Sequence, residues 1–137
     1  MYTIEEIAAL RQKCDELKLE GRKILDRYSD EELQKICNGI GPGAFPDWAR
    51  GLVSTLHPTL EPVAFIHDAE WSLSECSKEH FTASNDRFRK NGCIAARAEY
   101  GWYNILRYVV MVQARRFGNY CQSFGYSFYK GGRECVG

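Results

Sequence analysis

The chain has 137 residues, and its 18 Lys and Arg balance its 18 Asp and Glu, so the formal net charge at pH 7 is zero. This length is typical of one domain, and we expect a single domain over residues 1–137. Zero net charge argues against a general nucleic-acid-binding protein and against a polybasic membrane anchor, because both need clustered positive charge. The composition, 45% hydrophobic and 13% aromatic, excludes a chain that is disordered throughout.

The N-terminal region gives an expectation about where the protein is made. Residues 1–19 are charged and amphipathic and lack the apolar core of a signal peptide, so we expect cytoplasmic synthesis without a signal peptide. No run of apolar residues approaches the length of about 18 that a membrane span needs. The sequence therefore predicts neither export by a signal peptide nor a transmembrane helix.

Six cysteines lie at positions 14, 37, 76, 93, 121 and 135. None belongs to a Cys-x-x-Cys pair, so a structural zinc site has no support. Cysteine is also less frequent here than in chains that are held together by disulfides. We therefore expect buried free thiols.

Apolar residues recur at spacings of three and four along most of the chain, which predicts helices. Thr3 with Glu6 and Ser29 with Glu32 have the spacing of capping boxes, which open helices. Helices are expected over residues 3–35, 46–56, 62–76, 79–92 and 94–117. Gly118 is expected to end the last of them, and no alternating pattern persists long enough for a strand. The predicted fold class is one all-α domain.

Residues 37–43, which read Cys-Asn-Gly-Ile-Gly-Pro-Gly, interrupt the helical pattern. Glycines allow such a loop to adopt left-handed backbone angles and to turn several carbonyl oxygens toward one point. The loop lacks the Gly-Lys-Ser/Thr ending of a phosphate-binding P-loop. Because carbonyl and carboxylate oxygens are the ligands that calcium prefers, the loop is a candidate calcium site.

Among the histidines, His67 has the strongest case for a chemical role, because it follows an apolar run and directly precedes Asp68. Adjacent helical residues point about 100° apart, so these two side chains must serve different neighbours. Asp86 lies about as far beyond the turn near Ser77 as His67 lies before it, so antiparallel helices would bring the two together. A carboxylate on one ring nitrogen would make His67 a general base. A core histidine with a structural aspartate fits the same pattern.

The order of these motifs resembles the phospholipase A₂ superfamily in its short bacterial and phage-associated forms. The loop at residues 37–42 matches the family's calcium loop. His67 and Asp68 match the catalytic His-Asp pair, and Asp86 matches the aspartate of the second helix. The resemblance spans residues 37–88 and implies an antiparallel helix pair with a calcium loop and additional helices.

The resemblance implies calcium-dependent hydrolysis of a phospholipid ester bond. His67 would activate water, and Asp86 would hold its other ring nitrogen. Calcium would be weakly bound by the carboxylate of Asp68 and by three main-chain oxygens, those of Cys37, Gly39 and Gly41. The implied partner is a phospholipid or membrane surface, and the implied setting is a virion or delivery by a phage.

The sequence departs from the family's pattern at two places. Trp71 stands where secreted relatives have a tyrosine that supports the second aspartate, and indole has no hydroxyl. That support would have to come from Tyr103 or Tyr108, or be missing. The cysteines that flank the His-Asp pair in animal enzymes are replaced by Ala64 and Glu70. The disulfide framework of the secreted enzymes is therefore not expected.

Two alternative interpretations stay open. One is a non-catalytic, phage- or virion-associated interaction module of the same fold, with Trp71 marking the loss of the site. The other is a zinc-dependent hydrolase, disfavoured because no two histidines share one helical face. Its metal ligands would be His67, Asp68, His80 and Asp86. The basic residues between positions 87 and 116 are expected to be solvated surface, with contact to anionic lipid head groups as the alternative. For the aromatic residues Phe45, Trp48 and Trp102 an interfacial role is the alternative, and packing in the core is the expectation.

Overall fold

The computed structural model describes residues 2–37 and 55–136, and within these ranges the chain is almost entirely helical. The α-helices are α1 Ile4–Glu16, α2 Asp30–Ile36, α3 Glu61–Leu73, α4 Lys78–Glu99, α5 Ile105–Phe124 and α6 Tyr126–Lys130. Short 3₁₀ helices occupy Arg22–Arg27 and Pro58–Leu60. No strand forms in the described ranges, where the sole β-type pairing is an isolated bridge between Ser77 and Val136. The all-α prediction is confirmed for this part of the chain.

Both predicted capping boxes are formed. The Thr3 hydroxyl accepts a hydrogen bond from the Glu6 backbone N–H at 3.1 Å, and the Glu6 carboxylate accepts one from the Thr3 N–H at 3.4 Å. Ser29 and Glu32 repeat the arrangement at 3.1 and 3.2 Å. The helical stretch predicted over residues 3–35 is divided, because α1 ends at Glu16 and the chain then turns at Gly21 with a left-handed φ of 85°.

The centre of the fold is the antiparallel pair α3 and α4, the predicted helix pair. At one end Leu60 lies beside Gly92, and at the other the rings of Trp71 and Phe81 are 5.6 Å apart. The four residues between Leu73 and Lys78 suffice to reverse the chain because Ser77 caps α4, its hydroxyl accepting from the His80 N–H at 3.0 Å. This pairing sets which side chains of the two helices face each other.

α5 packs antiparallel against α4, and glycines bring the two helices close together. A Cβ at Gly92 would collide with Ala114, and one at Gly118 would collide with the Arg89 side chain. Gly118 therefore lies inside α5, and the prediction that it ends this helix is wrong. Its role is to permit close packing rather than to terminate the helix.

The sequence predicts a break between helices near residue 93, but in the structure this break lies at residues 100–104. α4 continues through residue 93 because Ala95 and Ala96 extend its buried face. α5 then begins after Asn104, whose side chain accepts from the Leu106 N–H at 3.0 Å. Of the helix expected over residues 46–56, residues 46–54 lie outside the described part of the chain, and Thr55 and Leu56 form a turn and a bend.

The buried residues form two clusters. The larger joins the inner faces of α1 to α5, and the smaller surrounds Trp71, Phe81 and Tyr129. Cys76 and Cys135 form a disulfide in the smaller cluster, which ties the chain after α6 to the α3–α4 turn. The expectation of free thiols is wrong for this pair and confirmed for the other four cysteines, of which two are buried and two half-buried.

Gly21→Ala is expected to lower the free energy of unfolding by about 3 kcal/mol. A left-handed φ costs a residue with a side chain about 1–2 kcal/mol, and the new Cβ would collide with the buried carboxylate of Glu70. Gly132 also has a positive φ, 82°, but nothing lies within 4 Å of its would-be Cβ. Gly132→Ala should therefore lower the free energy of unfolding by only about 1 kcal/mol, which is the cost of the left-handed backbone angle alone. Equal losses in urea denaturation would contradict a role for the contact between Gly21 and Glu70.

Candidate functional site

His67 lies in the interior, on the face of α3 that meets α4 and α5. The side chain is 5% exposed, and its ring centroid is 4.6 Å from that of Trp71, 5.2 Å from that of Phe88 and 6.1 Å from that of Phe117. Burial lowers the pKa of His67 to about 4, and the positive charge of Arg87 acts in the same direction. The imidazole is therefore neutral at neutral pH.

The residue opposite His67 is Asn85 rather than Asp86. His67 Nε2 is 2.9 Å from Asn85 Oδ1, and the Asn85 amide nitrogen donates to Gln122 on α5 at 2.9 Å. Gln122 in turn donates to the Thr82 hydroxyl at 3.1 Å. Because an amide oxygen only accepts, Nε2 carries the hydrogen in this bond. The result is a chain of neutral hydrogen bonds that links α3, α4 and α5.

The predicted contact between His67 and Asp86 is therefore wrong by one residue. Asp86 points toward solvent, and its carboxylate pairs with Arg89 on the same helix. Phe81 and Phe88 are both buried and seven residues apart, so they define the inner face of α4. Position 85 lies on this face, whereas position 86 is rotated about 100° away from it. The spacing of Phe81 and Phe88 in the sequence already indicates this inner face and therefore points to position 85.

An amide in place of the second carboxylate changes what His67 can do. A carboxylate beside a catalytic imidazole orients the ring and stabilises the imidazolium that forms when it takes a proton. Asn85 orients the ring but supplies no negative charge. A pKa of about 4 also leaves the imidazole a weak base at neutral pH. The arrangement suits a structural histidine better than a general base.

Asp68 is half-buried on a different side of α3, and burial raises the pKa of its carboxyl to about 7. It lies near Cys37: burial raises the pKa of that thiol to about 12, and the Asp68 charge contributes. The other predicted calcium ligands, Gly39 and Gly41, lie outside the described residues. Within residues 2–37 and 55–136, no group of three His, Cys, Asp or Glu is placed to hold a metal ion. The four ligands of the alternative zinc site are accordingly not gathered there.

A buried ion pair, which the sequence analysis missed, lies next to His67. Glu70 is 3% exposed, and its carboxylate accepts from Arg87 Nη2 at 2.5 Å and from Arg87 Nε at 2.9 Å. Position 70 follows His67 by three residues, and position 87 follows Asn85 by two. The register of α3 against α4 brings the two charges together, and such a register cannot be read from either helix alone.

His80 lies beside this ion pair, with Nε2 3.8 Å from the Glu70 carboxylate and Nδ1 3.0 Å from the Ser74 hydroxyl. Hydroxyl, imidazole and carboxylate in this order have the composition of an acyl-transfer triad. The carboxylate is held by Arg87, however, and the Ser74 hydroxyl donates to the main-chain oxygen of Glu70. Burial also lowers the pKa of His80. These contacts describe a structural network rather than an activated nucleophile.

Trp71 and the two candidate tyrosines occupy separate parts of the molecule. Trp71 Nε1 donates to the Ser84 hydroxyl at 2.9 Å inside the smaller cluster. Tyr103 and Tyr108 are exposed near the start of α5, where the Tyr108 hydroxyl donates to the main-chain oxygen of Trp102 at 2.7 Å. Neither tyrosine supports the predicted aspartate. The expectation that Trp102 packs in the core is also wrong, because 75% of its surface is exposed. Phe45 and Trp48 lie outside the described residues.

Large apolar side chains are exposed together around the start of α5. Ile105, Tyr108, Val109 and Val112 recur at the spacing of one helical face, and Trp102 and Tyr103 precede them in the connection from α4. We call these six residues the apolar patch. The opposite face of α5 carries Val110, Ala114 and Gly118, which are buried. α5 is therefore apolar on both faces over its first half.

The basic residues noted in the sequence separate into two groups. On α4, Arg87 pairs with Glu70, Arg89 with Asp86 and Lys90 with Glu20. The other group lies on α5, next to the apolar patch, and comprises Arg107, Arg115 and Arg116. The remaining residue of this stretch, Arg97, is exposed near the end of α4.

Protonation of His67 is expected to destabilise the fold below neutral pH. Above pH 6.5 the imidazole is neutral in both folded and unfolded chains. Between the unfolded pKa of 6.5 and the folded pKa of about 4, the unfolded chain binds a proton that the folded chain does not. Stability should fall over this interval by about 3 kcal/mol. Urea denaturation of wild type and His67→Gln from pH 7 to 4 measures this loss, and parallel curves would contradict it.

Comparisons with protein-family models, with curated proteins and with solved structures found no match to this sequence. The resemblance to the phospholipase A₂ superfamily thus rests on the loop at residues 37–42, on the His67-Asp68 pair and on Asp86. The described structure places Asp86 away from His67. Function is therefore argued from the geometry of this chain.

Proposed function

We propose that this protein is a non-catalytic interaction module in which α3, α4 and α5 support the apolar patch for contact with a partner. The observation that carries the proposal is the exposure of Trp102, Tyr103 and Ile105, which are 75%, 79% and 75% exposed. Aromatic side chains each have about 150–250 Å² of surface, so the patch presents on the order of 600 Å². Contiguous apolar patches of this size on soluble proteins mark interaction sites.

The internal packing of α5 supports the same proposal. The helix is anchored by its inner face, where Gly118 and Ala114 allow close contact with α4. The outer face contributes no buried residue, so apolar side chains there gain little when the chain folds. Their benefit arises only if a partner removes them from water.

The neutral environment of His67 supports a module without hydrolytic activity. Its ring bonds to an amide, its pKa is about 4, and three aromatic rings cover it. A general base would need a pKa nearer the working pH and a path for water. The side chain instead joins the cores of α3, α4 and α5.

Calcium-dependent phospholipid hydrolysis is the second hypothesis, and one observation favours it. Asp68 is a half-buried carboxyl whose pKa is raised to about 7, and it lies near Cys37, where the glycine-rich loop begins. A cation beside this carboxylate would remove the cost of its burial. This observation concerns a metal ion and supplies no partner for His67.

The apolar patch is expected to be dispensable for folding. Trp102→Ser and Ile105→Ser should each change the free energy of unfolding by less than about 0.5 kcal/mol, because exposed side chains lose little on replacement. Val110→Ser, on the buried face of the same helix, is the matched control and should lose about 3 kcal/mol. Guanidinium denaturation measures both. Losses of similar size would show that the patch is part of the core and would reject the proposal.

Hydrolysis of phospholipid vesicles is expected to be absent with calcium and with a chelator. The physical reason is that the ring of His67 bonds to the amide of Asn85 and that its pKa of about 4 leaves it a weak base at neutral pH. Release of fatty acid from phosphatidylcholine and phosphatidylserine vesicles measures this directly. Activity that requires calcium and disappears in both His67→Gln and Asp68→Asn would overturn the proposal in favour of the second hypothesis. The variants' unchanged circular dichroism would serve as the folding control.

A further inference from the structure

The sequence around the apolar patch has a one-sided charge. From Tyr100 to Arg133 the chain contains no Asp or Glu, whereas it contains five basic residues: Arg107, Arg115, Arg116, Lys130 and Arg133. Because the whole chain has zero net charge, the rest of it is net acidic. Three of these basic residues, Arg107, Arg115 and Arg116, lie on α5 with the patch, whereas Lys130 and Arg133 lie at the other end of α4, beside the α3–α4 turn.

The charge is also placed at the edge of the patch. Ile105, Val109 and Val112 run along the outer face of α5, and Arg116 follows them on that face one turn later. Arg115 precedes it and is also exposed. A shallow groove over Tyr108, Val109, Val112 and Gln113 ends at Arg116. An apolar surface with guanidinium groups at its border is complementary to a partner whose contact region is apolar and is bordered by anionic groups.

The aromatic residues add a second matching property. Trp102 and Tyr103 are the most exposed large side chains next to the first turn of α5, and their ring centroids are 5.9 Å apart. Trp and Tyr favour the boundary between hydrocarbon and water, because each joins an apolar ring to a polar group. A helix that lies in the head-group region buries one apolar face by about 5–10 Å and keeps basic residues beside it.

We infer that the apolar patch binds the surface of an anionic lipid bilayer, with α5 lying parallel to the surface. This inference rests on the proposed function, since it names the partner of the same patch. Trp102, Tyr103 and Ile105 enter the head-group boundary, and Arg115 and Arg116 contact anionic head groups.

A second copy of the chain fits the patch less well. A symmetric dimer with parallel α5 helices would set the border arginines against each other. One with antiparallel helices would set them against the start of the partner's α5, which has no carboxylate between Tyr100 and Arg107. The acid-free stretch from Tyr100 to Arg133 offers no carboxylate to compensate. Like charges across an interface oppose association, whereas anionic lipid supplies the missing negative charge.

Vesicle flotation of the full-length protein tests the inference. Vesicles of phosphatidylcholine with about 30 mol% phosphatidylserine should bind the wild type at least about 10-fold more strongly than vesicles of phosphatidylcholine alone. Raising the salt concentration should weaken the binding, because exposed charges are screened. Equal binding to the two vesicles, or none to either, would overturn the inference.

Three variants separate the contributions. Arg115→Gln with Arg116→Gln should lower binding to phosphatidylserine vesicles about 10-fold and leave binding to phosphatidylcholine unchanged. Trp102→Ser with Ile105→Ser should lower binding to both. Val136→Ser is the matched control, because Val136 is 65% exposed but lies at the opposite end of α4, beside Ser77. An effect of Val136→Ser as large as that of the patch variants would contradict the inference.

Trp102 also provides a spectroscopic signal. In a Trp48→Phe background, the fluorescence of Trp102 should shift to shorter wavelength when phosphatidylserine vesicles are added, and Trp102→Phe in that background should remove the shift because the remaining Trp71 is buried. No shift in the Trp48→Phe protein would contradict insertion of the patch.

Sedimentation separates failure of the inference from failure of the proposed function. If the wild type ignores vesicles but forms a dimer that Trp102→Ser with Ile105→Ser dissociates, the lipid inference is wrong and the interaction module stands, with a second copy as partner. If the wild type ignores vesicles and stays a monomer at all concentrations, the lipid inference is rejected, and the proposed function is rejected separately if the patch variants lose as much stability as Val110→Ser.

Discussion

The register of α3 against α4 is the constraint on which the rest of the structure depends. The hydrogen bond from His67 to Asn85 fixes that register in the interior, where a lost partner would be costly. It places Glu70 against Arg87 and Trp71 against Phe81. Since Asn85 also bonds to Gln122, the same bond positions α5. A shift of α3 by one residue along α4 would break the ion pair of Glu70 with Arg87 and separate the ring of Trp71 from that of Phe81.

This constraint explains why the most enzyme-like residue of the chain is better suited to structure than to catalysis. A histidine that binds together three helices must keep one tautomer and stay neutral, and Asn85 satisfies both needs without bringing in a charge. A general base needs the opposite conditions, namely a nearby negative charge and access to water. His67 meets the structural conditions, because its ring keeps one tautomer and is neutral. The surface that we propose to be functional lies on α5, whose inner face completes the packing and whose outer face is exposed.

The sequence predicted the local features and missed those that depend on register. Capping boxes at Thr3 and Ser29 were predicted correctly, because they depend on residues three apart. The antiparallel pair was predicted from the turn near Ser77, yet only a carboxylate was sought as the partner of His67, so Asp86 was named and the amide of Asn85 was not considered. The buried positions of Phe81 and Phe88 would have corrected the choice.

Three other features depend on how residues distant in sequence pack together, so the local sequence pattern did not predict them. Gly118 lies within α5, where the Arg89 side chain of α4 packs so closely that a Cβ at position 118 would collide with it. Arg89 is distant in sequence, so the local pattern does not reveal this contact. The pairing of Cys76 with Cys135 depends on how the end of the chain folds back on the α3–α4 turn. Trp102 was expected in the core because aromatic residues usually are buried, and only the packing of α5 shows that its side chain is left outside.

The central claim is that His67 is a neutral residue of the interior, so its titration by NMR is the most direct test. The ring carbon and proton shifts of His67, assigned by comparison with His67→Gln, should stay constant from pH 8 to pH 5 in the folded protein. A pKa of about 4 places any change below that range. A titration with a midpoint between about pH 6 and 7, the range of ordinary histidines, would contradict the account and restore His67 as a candidate base.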